Sequence, residues 1–284
     1  MSRTIVITGA TSGFGVAIVR EFLSHGETVI ATGRNLSSRK DIFNDERNKY
    51  KDLLIEFDLD VTVESECHAF KKMLEASGHS IDILINNAGY GLFGALGNLS
   101  LDQIRHQFEV NFFGMVRVTQ TLLPLVIKSK GKIFNFSSVF GFSGFPLSSA
   151  YCASKFAVEG FSESLDYELR PHGVQVCLIE PGGYRTKFGS SSVWGNQKEE
   201  TYDLQTQNYQ SLRNKIMSRK NYQDPADLAL GVWRLSKKSS LPLRVPFGKD
   251  ANATAFIRKL MPAGVLHRMS HMMFNKIFLK KINQ

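Results

Sequence analysis

The sequence of 284 residues predicts an α/β fold, a doubly wound parallel sheet of about seven strands with helices on both faces. Short runs rich in Val, Ile, Leu and Phe, bounded by Gly or polar residues, alternate with segments of helical spacing. The alternation continues to Glu180 without a linker rich in Pro, Gly or Ser, which favours one domain. A glycine-rich turn follows the first run, where such sheets bind ligands beyond the carboxyl ends of their strands.

The individual elements follow from these patterns in chain order. Strands are predicted over residues 4–8, 28–32, 53–57, 82–85, 132–136 and 174–179, with an edge strand that tolerates two prolines over 241–247. Helices are predicted over residues 16–24, 65–76, 102–127 and 150–170. The polar, weakly periodic stretch 189–223 is predicted to be a substrate lid within a domain of residues 1–251.

The composition excludes several classes of protein. A hydrophobic content of 43 % excludes a disordered chain, a collagen-like repeat and a small disulfide scaffold. Three widely spaced cysteines without a C-x-x-C pair are typical of a reducing compartment. No apolar run approaches the length of a spanning helix, and the N-terminus lacks the apolar core of a signal peptide, so a cytoplasmic protein is expected.

The formal net charge of +9 is unevenly spread. Residues 1–212 carry a net charge of −3, and residues 213–284 carry +12. A uniformly basic face for nucleic acid is therefore not expected. Residues 252–284 mix apolar and basic side chains in a predicted amphipathic helical tail. Packing of this tail on its own domain or a second subunit is the favoured interpretation, and peripheral contact with an anionic membrane is the alternative.

The glycine spacing G-x-x-x-G-x-G over residues 9–15 predicts a dinucleotide site. Gly9 can form the tight turn, Gly13 lets the backbone approach a pyrophosphate, and Gly15 lets the helix pack closely on the strand. The free N–H groups at the start of the helix favour a phosphate. The other predicted cofactor contacts in this turn are Thr11, Ser12 and Phe14.

The end of the second strand indicates which dinucleotide is bound. NAD sites commonly carry Asp or Glu there to accept from the ribose 2′-OH, but residues 31–35 contain no acid. The planar donors of Arg34 can instead pair with a 2′-phosphate. NADP(H) is therefore the predicted cofactor, with NAD(H) left possible.

The segment Tyr151-Cys152-Ala153-Ser154-Lys155 predicts proton transfer. Residues four apart share one face of a helix, so the phenol of Tyr151 and the ammonium of Lys155 point the same way. An ammonium near a phenol lowers the pKa of that phenol, which can then exchange a proton with a carbonyl or hydroxyl substrate. Ser138 follows the strand 132–136 at the same sheet edge.

These segments make the chain similar to the short-chain dehydrogenase/reductase family, especially its hydroxysteroid and retinol dehydrogenase-like branch, over nearly all of residues 3–251. The matching segments are TGATSGFG (8–15), Asp60-Val61, Asn86-Asn87-Ala88-Gly89, Asn111, Ser137-Ser138, YCASK (151–155), Pro181-Gly182 with Thr186, and GKDA (248–251). The resemblance implies a Rossmann-type fold and a homo-dimer or homo-tetramer formed through the helices 102–127 and 150–170.

The resemblance also implies a role for each matching residue. Tyr151 would be the catalytic acid/base, Ser138 would donate to the substrate oxygen, and Lys155 would lower the pKa of Tyr151 and hold the nicotinamide ribose. Asn111 would anchor a water in the proton relay. The implied cofactor contacts are Asp60 and Val61 at the adenine, Asn87, Ala88 and Gly89 along the cofactor, and Pro181, Gly182 and Thr186 at the nicotinamide end.

Aromatic residues are dense near the predicted active edge, which indicates a bulky, apolar small-molecule substrate. The candidates are Phe93, Phe140, Phe142, Phe145, Tyr184, Phe188 and Trp194. Substrate contacts are predicted at Ser138, Phe140, Phe145, Tyr151, Tyr184 and Phe188. The predicted function is an NADP(H)-dependent oxidoreductase that interconverts a secondary alcohol and a ketone or aldehyde.

Three other functions are weighed against this one. An α/β-hydrolase needs a G-x-S-x-G elbow, and residues 141–145 place the second Gly one position early. His267 and His271 are four apart but lack the Glu of a zinc hydrolase helix, so they are interpreted as surface histidines. A non-catalytic dinucleotide sensor would not need the Asn, Ser, Tyr and Lys set.

Overall fold

The computed structural model describes residues 2–39, 41–186, 188, 192–217 and 223–278. Nine strands are present in this part of the chain: β1 Thr4–Ile7, β2 Thr28–Gly33, β3 Leu54–Asp58, β4 Ile83–Asn86, β5 Leu92–Phe93, β6 Lys132–Phe136, β7 Gln175–Pro181, β8 Val193–Trp194 and β9 Arg244–Phe247. Its α-helices are α1 Gly13–Ser24, α2 Asn44–Lys49, α3 Glu64–Ala76, α4 Leu101–Phe108, α5 Gly114–Lys128, α6 Ser149–Leu169, α7 Asp203–Met217, α8 Pro225–Ser236, α9 Lys249–Leu260 and α10 Ala263–Phe278.

Seven of the strands form one parallel sheet in the order β3-β2-β1-β4-β6-β7-β9. The strand order reverses between β1 and β4, the position at which open sheets of this kind form a ligand crevice. The predicted fold class is confirmed. The predicted edge strand is shorter than expected, because the Leu241 N–H donates to the side chain of Gln175 at 2.7 Å rather than to a neighbouring strand.

The sheet is buried on both faces, which explains why its strands are continuous apolar runs. Successive residues of β1 point to opposite sides, so Ile5 and Ile7 pack against α1 and α8, and Val6 packs on the other side. That second core contains residues of α3, α5 and α6, including the fully buried Phe70 and Leu122. The two cores fix the carboxyl ends of the strands along one edge.

The predicted helix 102–127 is interrupted by a π-helical segment, Glu109–Phe113, between α4 and α5. Over Leu101–Lys128 this helical run is long and apolar enough to cross a membrane, but 44 % of its most apolar window is buried inside the protein. The apolar side chains include the core residues Val118, Leu122 and Val126. Part of the apolar face of this run is therefore accounted for by the protein core.

The predicted lid and tail are both more ordered than their sequence patterns indicate. The described part of the lid stretch 189–223 contains β8, which pairs with β5, and the helix α7, while residues 189–191 and 218–222 lie outside the described residues. The predicted domain boundary after residue 251 falls inside α9. Helix α10 contacts α7, so the tail packs on its own chain; residues 279–284 lie outside the described part.

A buried carboxylate at the start of β2 ties the amino end of the sheet together. Glu27 is only 4 % exposed and accepts from Arg3 Nη2 at 2.6 Å and from Lys237 Nζ at 2.8 Å. Burial opposes ionisation, but the hydrogen bonds from these two cations lower the pKa of Glu27 from its usual 4.5 to about 2. The cluster lies at the opposite end of the strands from the glycine-rich turn.

We expect Glu27→Gln to lower the free energy of unfolding at pH 7 by about 1–3 kcal/mol, because its ion pairs with Arg3 and Lys237 are lost. Both cations are partly exposed, and solvent screening keeps the loss below the value that the pKa shift alone implies. The lowered pKa means that this stabilisation is full above about pH 4.5 and is lost as pH falls towards 2. Urea unfolding from pH 7 down to pH 2 measures both effects, with the exposed Glu64→Gln as control. Parallel pH profiles for Glu27→Gln and the parent protein would contradict the assignment.

Candidate active site

One cavity of about 1860 Å³ runs along the carboxyl ends of β1, β2, β3, β4, β6 and β7. The predicted site residues that line it are Gly9, Thr11, Ser12, Gly13, Phe14, Arg34, Asp60, Val61, Asn87, Ala88, Gly89, Ser138, Phe140, Phe145, Tyr151, Lys155, Pro181, Gly182, Tyr184, Thr186 and Phe188. Gly15 and Asn111 are buried behind this wall. The volume exceeds that of a typical small-molecule pocket, so the cavity has room for two ligands side by side.

The glycine-rich turn is shaped by close backbone contacts. Gly9 has φ of 68°, and a Cβ there would lie 2.7 Å from the Cα of Ala88. A Cβ on Gly15 would lie 2.3 Å from the Gly9 carbonyl oxygen, so Gly15 allows the close packing predicted from the sequence. The hydroxyl of Thr8 accepts from the backbone N–H groups of Asn87 and Ala88 at 3.0 and 3.1 Å. Thr8 is therefore a bracing residue that sequence analysis did not single out.

The turn also leads into the N-terminus of α1, and it fits a phosphate group. The side chain of Ser12 does not cap this helix. Within 4 Å, a Cβ built on Gly13 would contact only the side chain of Thr186, and the shortest distance would be 3.4 Å. The space in front of the first helical turn is thus open to the cavity, with N–H groups directed at it.

Two basic residues line the cavity beyond β2. Arg34 is largely exposed, and its Nη1 lies 4.0 Å from Asp60 Oδ2. Asp60 Oδ1 accepts from both the backbone and the hydroxyl of Thr62, which fixes the carboxylate after β3. Arg39 lines the same region and was not predicted from the sequence. Arg39 lies five residues after Arg34 in a loop. Because a loop has no regular periodicity, the sequence did not indicate that both side chains reach one cavity.

Ser138, Tyr151 and Lys155 converge at the next part of the cavity. Tyr151 and Lys155 lie one turn apart on α6, and both are buried. The hydroxyl of Ser138 is hydrogen-bonded to Tyr151 and donates weakly to the Pro181 carbonyl at 3.4 Å. Lys155 Nζ donates to the Phe136 carbonyl at 2.7 Å and lies 6.0 Å from the centre of the Tyr151 ring. The three predicted residues thus come from the loop after β6 and from α6.

The pKa of the Tyr151 phenol differs in direction from the sequence-based expectation. Burial raises the pKa of Tyr151, and the hydrogen bond with Ser138 opposes this rise. Burial also lowers the pKa of Lys155 to about 8, against the opposing charge of Glu159. The desolvation of both groups therefore outweighs the pairing predicted from their spacing.

Asn111 lies in the π-helical segment and is only 2 % exposed. Its Oδ1 accepts from the Tyr90 N–H at 2.9 Å, and its Nδ2 donates to the Tyr90 carbonyl at 3.0 Å. Gly89 lies between Asn111 and Lys155, since a Cβ on Gly89 would be 3.1 Å from Asn111 Oδ1 and 3.8 Å from Lys155 Nζ. Asn111 therefore fixes the backbone of the loop that borders Lys155.

Aromatic rings surround the phenol of Tyr151. The ring centres of Phe140, Phe93 and Phe188 lie 5.3, 5.8 and 5.8 Å from that of Tyr151. Tyr184 lies towards the glycine-rich turn, where its ring contacts Phe14 at 5.2 Å. This arrangement makes the wall around the phenol apolar.

Two predicted pocket residues are wrong. Within the described part of the chain, the cavity wall does not include Phe142 or Trp194. Trp194 packs against Phe93 at 5.9 Å, in a layer outside that ring. Helix α7 instead supplies Tyr209 and Arg213, and the guanidinium of Arg213 lies 4.8 Å from the centre of Phe93. The sequence of this segment is only weakly periodic, so it did not indicate that Tyr209 and Arg213 line the cavity.

A buried acidic pair behind α6 was also missed. Glu159 and Glu180 are 6 % and 2 % exposed, and Arg244 Nε lies 2.9 Å and 3.8 Å from their carboxylates. Burial and the neighbouring charge of Glu159 raise the pKa of Glu180. Glu159 lies one turn beyond Lys155 on α6, so its negative charge lies behind the lysine.

Sequence comparison finds similar proteins among dehydrogenases and reductases. The family model described as short chain dehydrogenase matches residues 3–195. An uncharacterized oxidoreductase, YusZ, of Bacillus subtilis is 38 % identical over 272 residues, covering 92 % of this chain and 94 % of its own. A protein of Bacteroides thetaiotaomicron named 3-ketodihydrosphingosine reductase is 32 % identical over 247 residues, covering 87 % of this chain and 88 % of its own.

Solved structures show the same architecture. A short-chain dehydrogenase from Streptomyces avermitilis superposes with a TM-score of 0.82 at 30 % identity, covering 95 % of both chains. A serine dehydrogenase solved in a closed form with NADP⁺ superposes with a TM-score of 0.73 at 27 % identity, covering 86 % of this chain and 94 % of its own. The cavity described above therefore lies in a fold shared with solved dehydrogenases.

Proposed function

The chain belongs to the short-chain dehydrogenase family and is an oxidoreductase acting on CH–OH groups, and we propose that it interconverts a bulky apolar alcohol and the corresponding carbonyl compound with NADP(H), a ketone from a secondary alcohol or an aldehyde from a primary one. One observation carries the proposal. Ser138, Tyr151 and Lys155 meet in a single cavity that continues to the glycine-rich turn. Their shared cavity supports a proton donor at Tyr151 and a dinucleotide cradle at the glycine-rich turn.

The cavity residues fit a phosphorylated dinucleotide. The turn 9–15 would hold the pyrophosphate at the N-terminus of α1, and Arg34 with Arg39 would hold a 2′-phosphate. Asp60 and Val61 would border the adenine, and Asn87, Ala88, Gly89, Pro181, Gly182 and Thr186 would line the remainder. The NADP⁺ named in the solved serine dehydrogenase supports this choice, and NAD(H) is the second candidate. When bound, the nicotinamide supplies or accepts the hydride.

The protein residues manage the proton. In the reducing direction Tyr151 donates its phenolic proton to the substrate oxygen as that oxygen gains negative charge. The raised pKa of Tyr151 keeps the phenol protonated before the transfer. Ser138 donates a hydrogen bond to the same oxygen, and the Lys155 ammonium stabilises the phenolate that remains. Alcohol oxidation reverses these steps, with Tyr151 as the base.

The apolar rings around Tyr151 support a bulky apolar substrate. The relative from Bacteroides thetaiotaomicron is named 3-ketodihydrosphingosine reductase, and this name supports a ketone substrate. We place the segment 192–217 over this pocket as part of the lid. The three buried cysteines, each without a disulfide, fit the reducing cytoplasm.

The exposed surface supports contact between copies of this chain. Phe113, Phe156 and Tyr167 are 49 %, 42 % and 67 % exposed on the two long helical runs. Large exposed aromatics favour a homo-dimer or homo-tetramer formed through these helices.

The test is a screen of ketones and aldehydes of increasing apolar size, with NADPH and NADH oxidation measured in parallel. We expect NADPH to be oxidised faster than NADH and kcat/KM to rise with apolar size. Arg213→Met asks whether the pocket also recognises a polar substrate group. Tight NADPH binding without oxidation by any carbonyl would overturn the proposal and favour the non-catalytic dinucleotide sensor.

A further inference from the structure

Helices α9 and α10 present two distinct apolar faces. On α9, Thr254, Ile257 and Met261 just beyond its end line the substrate cavity. Phe256 and Leu260, one turn apart on the same helix, are 64 % and 63 % exposed. Residues four apart share a helix face, so these two form one outward apolar strip.

Helix α10 repeats the arrangement. Leu266 and Phe274 line the cavity, whereas Val265, Met269 and Met272 are 46 %, 48 % and 64 % exposed. The spacing of 265, 269 and 272 is again that of a single helix face. A contiguous exposed apolar strip rimmed by polar residues marks a surface that meets a partner or a membrane, and the cavity accounts only for the other side of these helices.

The charge of this region selects the partner. Residues 251–284 contain six basic residues and no acidic one. Arg258, Lys259 and Arg268 are exposed on the two helices. A two-fold contact between copies of this chain would bring these like charges together. An anionic bilayer complements both the cationic side chains and the apolar strips, and soft Met and Phe side chains suit its interfacial layer.

The cavity opens at the same place. Arg258, His267 and Ser270 line the cavity and are exposed, so they form part of its rim. A ligand that enters past these residues must pass between the two helices and the rest of the chain. The rim thus lies beside the surface whose chemistry matches a membrane.

We infer that the outer face of α9 and α10 docks on an anionic lipid bilayer and that the substrate is a membrane-resident amphiphile that enters the cavity over this rim. The identity of the substrate as a carbonyl or alcohol rests on the proposed function, whereas the docking does not. An apolar substrate taken up at the bilayer surface avoids the unfavourable transfer of its apolar surface through water.

Co-sedimentation with vesicles tests the docking. We expect the full chain to bind vesicles of phosphatidylcholine mixed with phosphatidylserine, to bind phosphatidylcholine alone much more weakly, and to be released by salt. The double variant Lys259→Glu/Arg268→Glu should bind about 20-fold more weakly or worse, because each basic residue near such a surface contributes about fivefold. Lys51→Glu/Lys72→Glu carries the same charge change on the opposite part of the chain and should bind like the parent.

The double variant Phe256→Ser/Leu260→Ser tests the apolar strip in the same co-sedimentation assay, in which weaker vesicle binding is expected. An unchanged thermal unfolding temperature of this variant would exclude misfolding as the cause. Failure of the parent chain to bind anionic vesicles, or equal binding to both vesicle types, would overturn the inference. Gel filtration with light scattering supplies a further arm. If the parent is an oligomer that Phe256→Ser/Leu260→Ser dissociates, the strip is a protein interface and the inference is wrong.

Activity separates the docking from the proposed function. The substrates are a long-chain methyl ketone dissolved in the vesicles and its short, water-soluble homologue. We expect Lys259→Glu/Arg268→Glu to raise KM at least tenfold for the vesicle-borne ketone and to leave turnover of the soluble ketone unchanged. Equal rates of parent and variant on the vesicle-borne ketone would contradict membrane uptake. Vesicle binding without reduction of either ketone would contradict only the proposed function.

Discussion

Tyr151→Phe is expected to lower kcat for carbonyl reduction by about 10²-fold or more without unfolding the protein. The phenol is the group that reaches the cavity beside Ser138, and a benzene ring in its place has no proton to give. The ring itself packs against Phe93 and Phe140, and Phe preserves those contacts. The thermal unfolding temperature and the NADPH dissociation constant should therefore stay close to those of the parent.

Tyr167→Phe is the matched control, because Tyr167 lies on the same helix but is 67 % exposed and outside the described cavity wall. We expect this variant to keep full kcat. Single-turnover measurements with NADPH and a ketone compare the chemical step in both variants. Undiminished turnover in Tyr151→Phe would refute the assigned role of the phenol.

Arg34→Asp is expected to weaken NADPH binding by about 10²-fold and NADH binding by only about twofold. The wild-type guanidinium lines the part of the cavity in which we propose that the adenine end of the cofactor binds. A charge-assisted hydrogen bond to a 2′-phosphate there would be worth about 1.5–3 kcal/mol. The new carboxylate would repel that phosphate but could accept from the 2′-OH of NADH. Fluorescence titration with both cofactors measures the ratio.

Arg105→Asp makes the same charge change on α4, where the side chain is largely exposed, and should leave both dissociation constants unaltered. Arg39 lines the same region. The loss of NADPH affinity in Arg39→Asp, compared with that in Arg34→Asp, shows how much each arginine contributes to binding the 2′-phosphate. If Arg34→Asp weakens NADPH and NADH equally, Arg34 does not contact the 2′-phosphate.

Much of the fold and the catalytic set is predictable because its signals are local. The strand–helix alternation gave the seven parallel strands, and the Tyr-x-x-x-Lys spacing placed both side chains on one face of α6. The contribution of α7 and α10 was not predictable, because their cavity contacts depend on packing between segments far apart in the chain. The pKa direction of Tyr151 was wrong for the same reason, since burial is a property of the assembled site.

Sequence periodicity also fails where a helix departs from regular spacing. The run 102–127 has apolar residues at helical intervals throughout, which conceals the π-helical segment Glu109–Phe113. The side on which Phe142 and Trp194 pack was equally ambiguous, because an aromatic residue in a loop or in a two-residue strand carries no periodic signal.

The shape of the cavity wall at α4 depends on the number of residues in the π-helical segment. Such a segment holds one residue more than the α-helical turn it replaces. Deleting one residue there would rewind the run into a regular helix and turn α4 by about 100° relative to α5. Gln103 and His106, which border the cavity from α4, would swing away while the hydroxyl donors on the far side stayed in place. A change of chain length at this point is therefore a route by which relatives could diverge in substrate preference while retaining the same reaction.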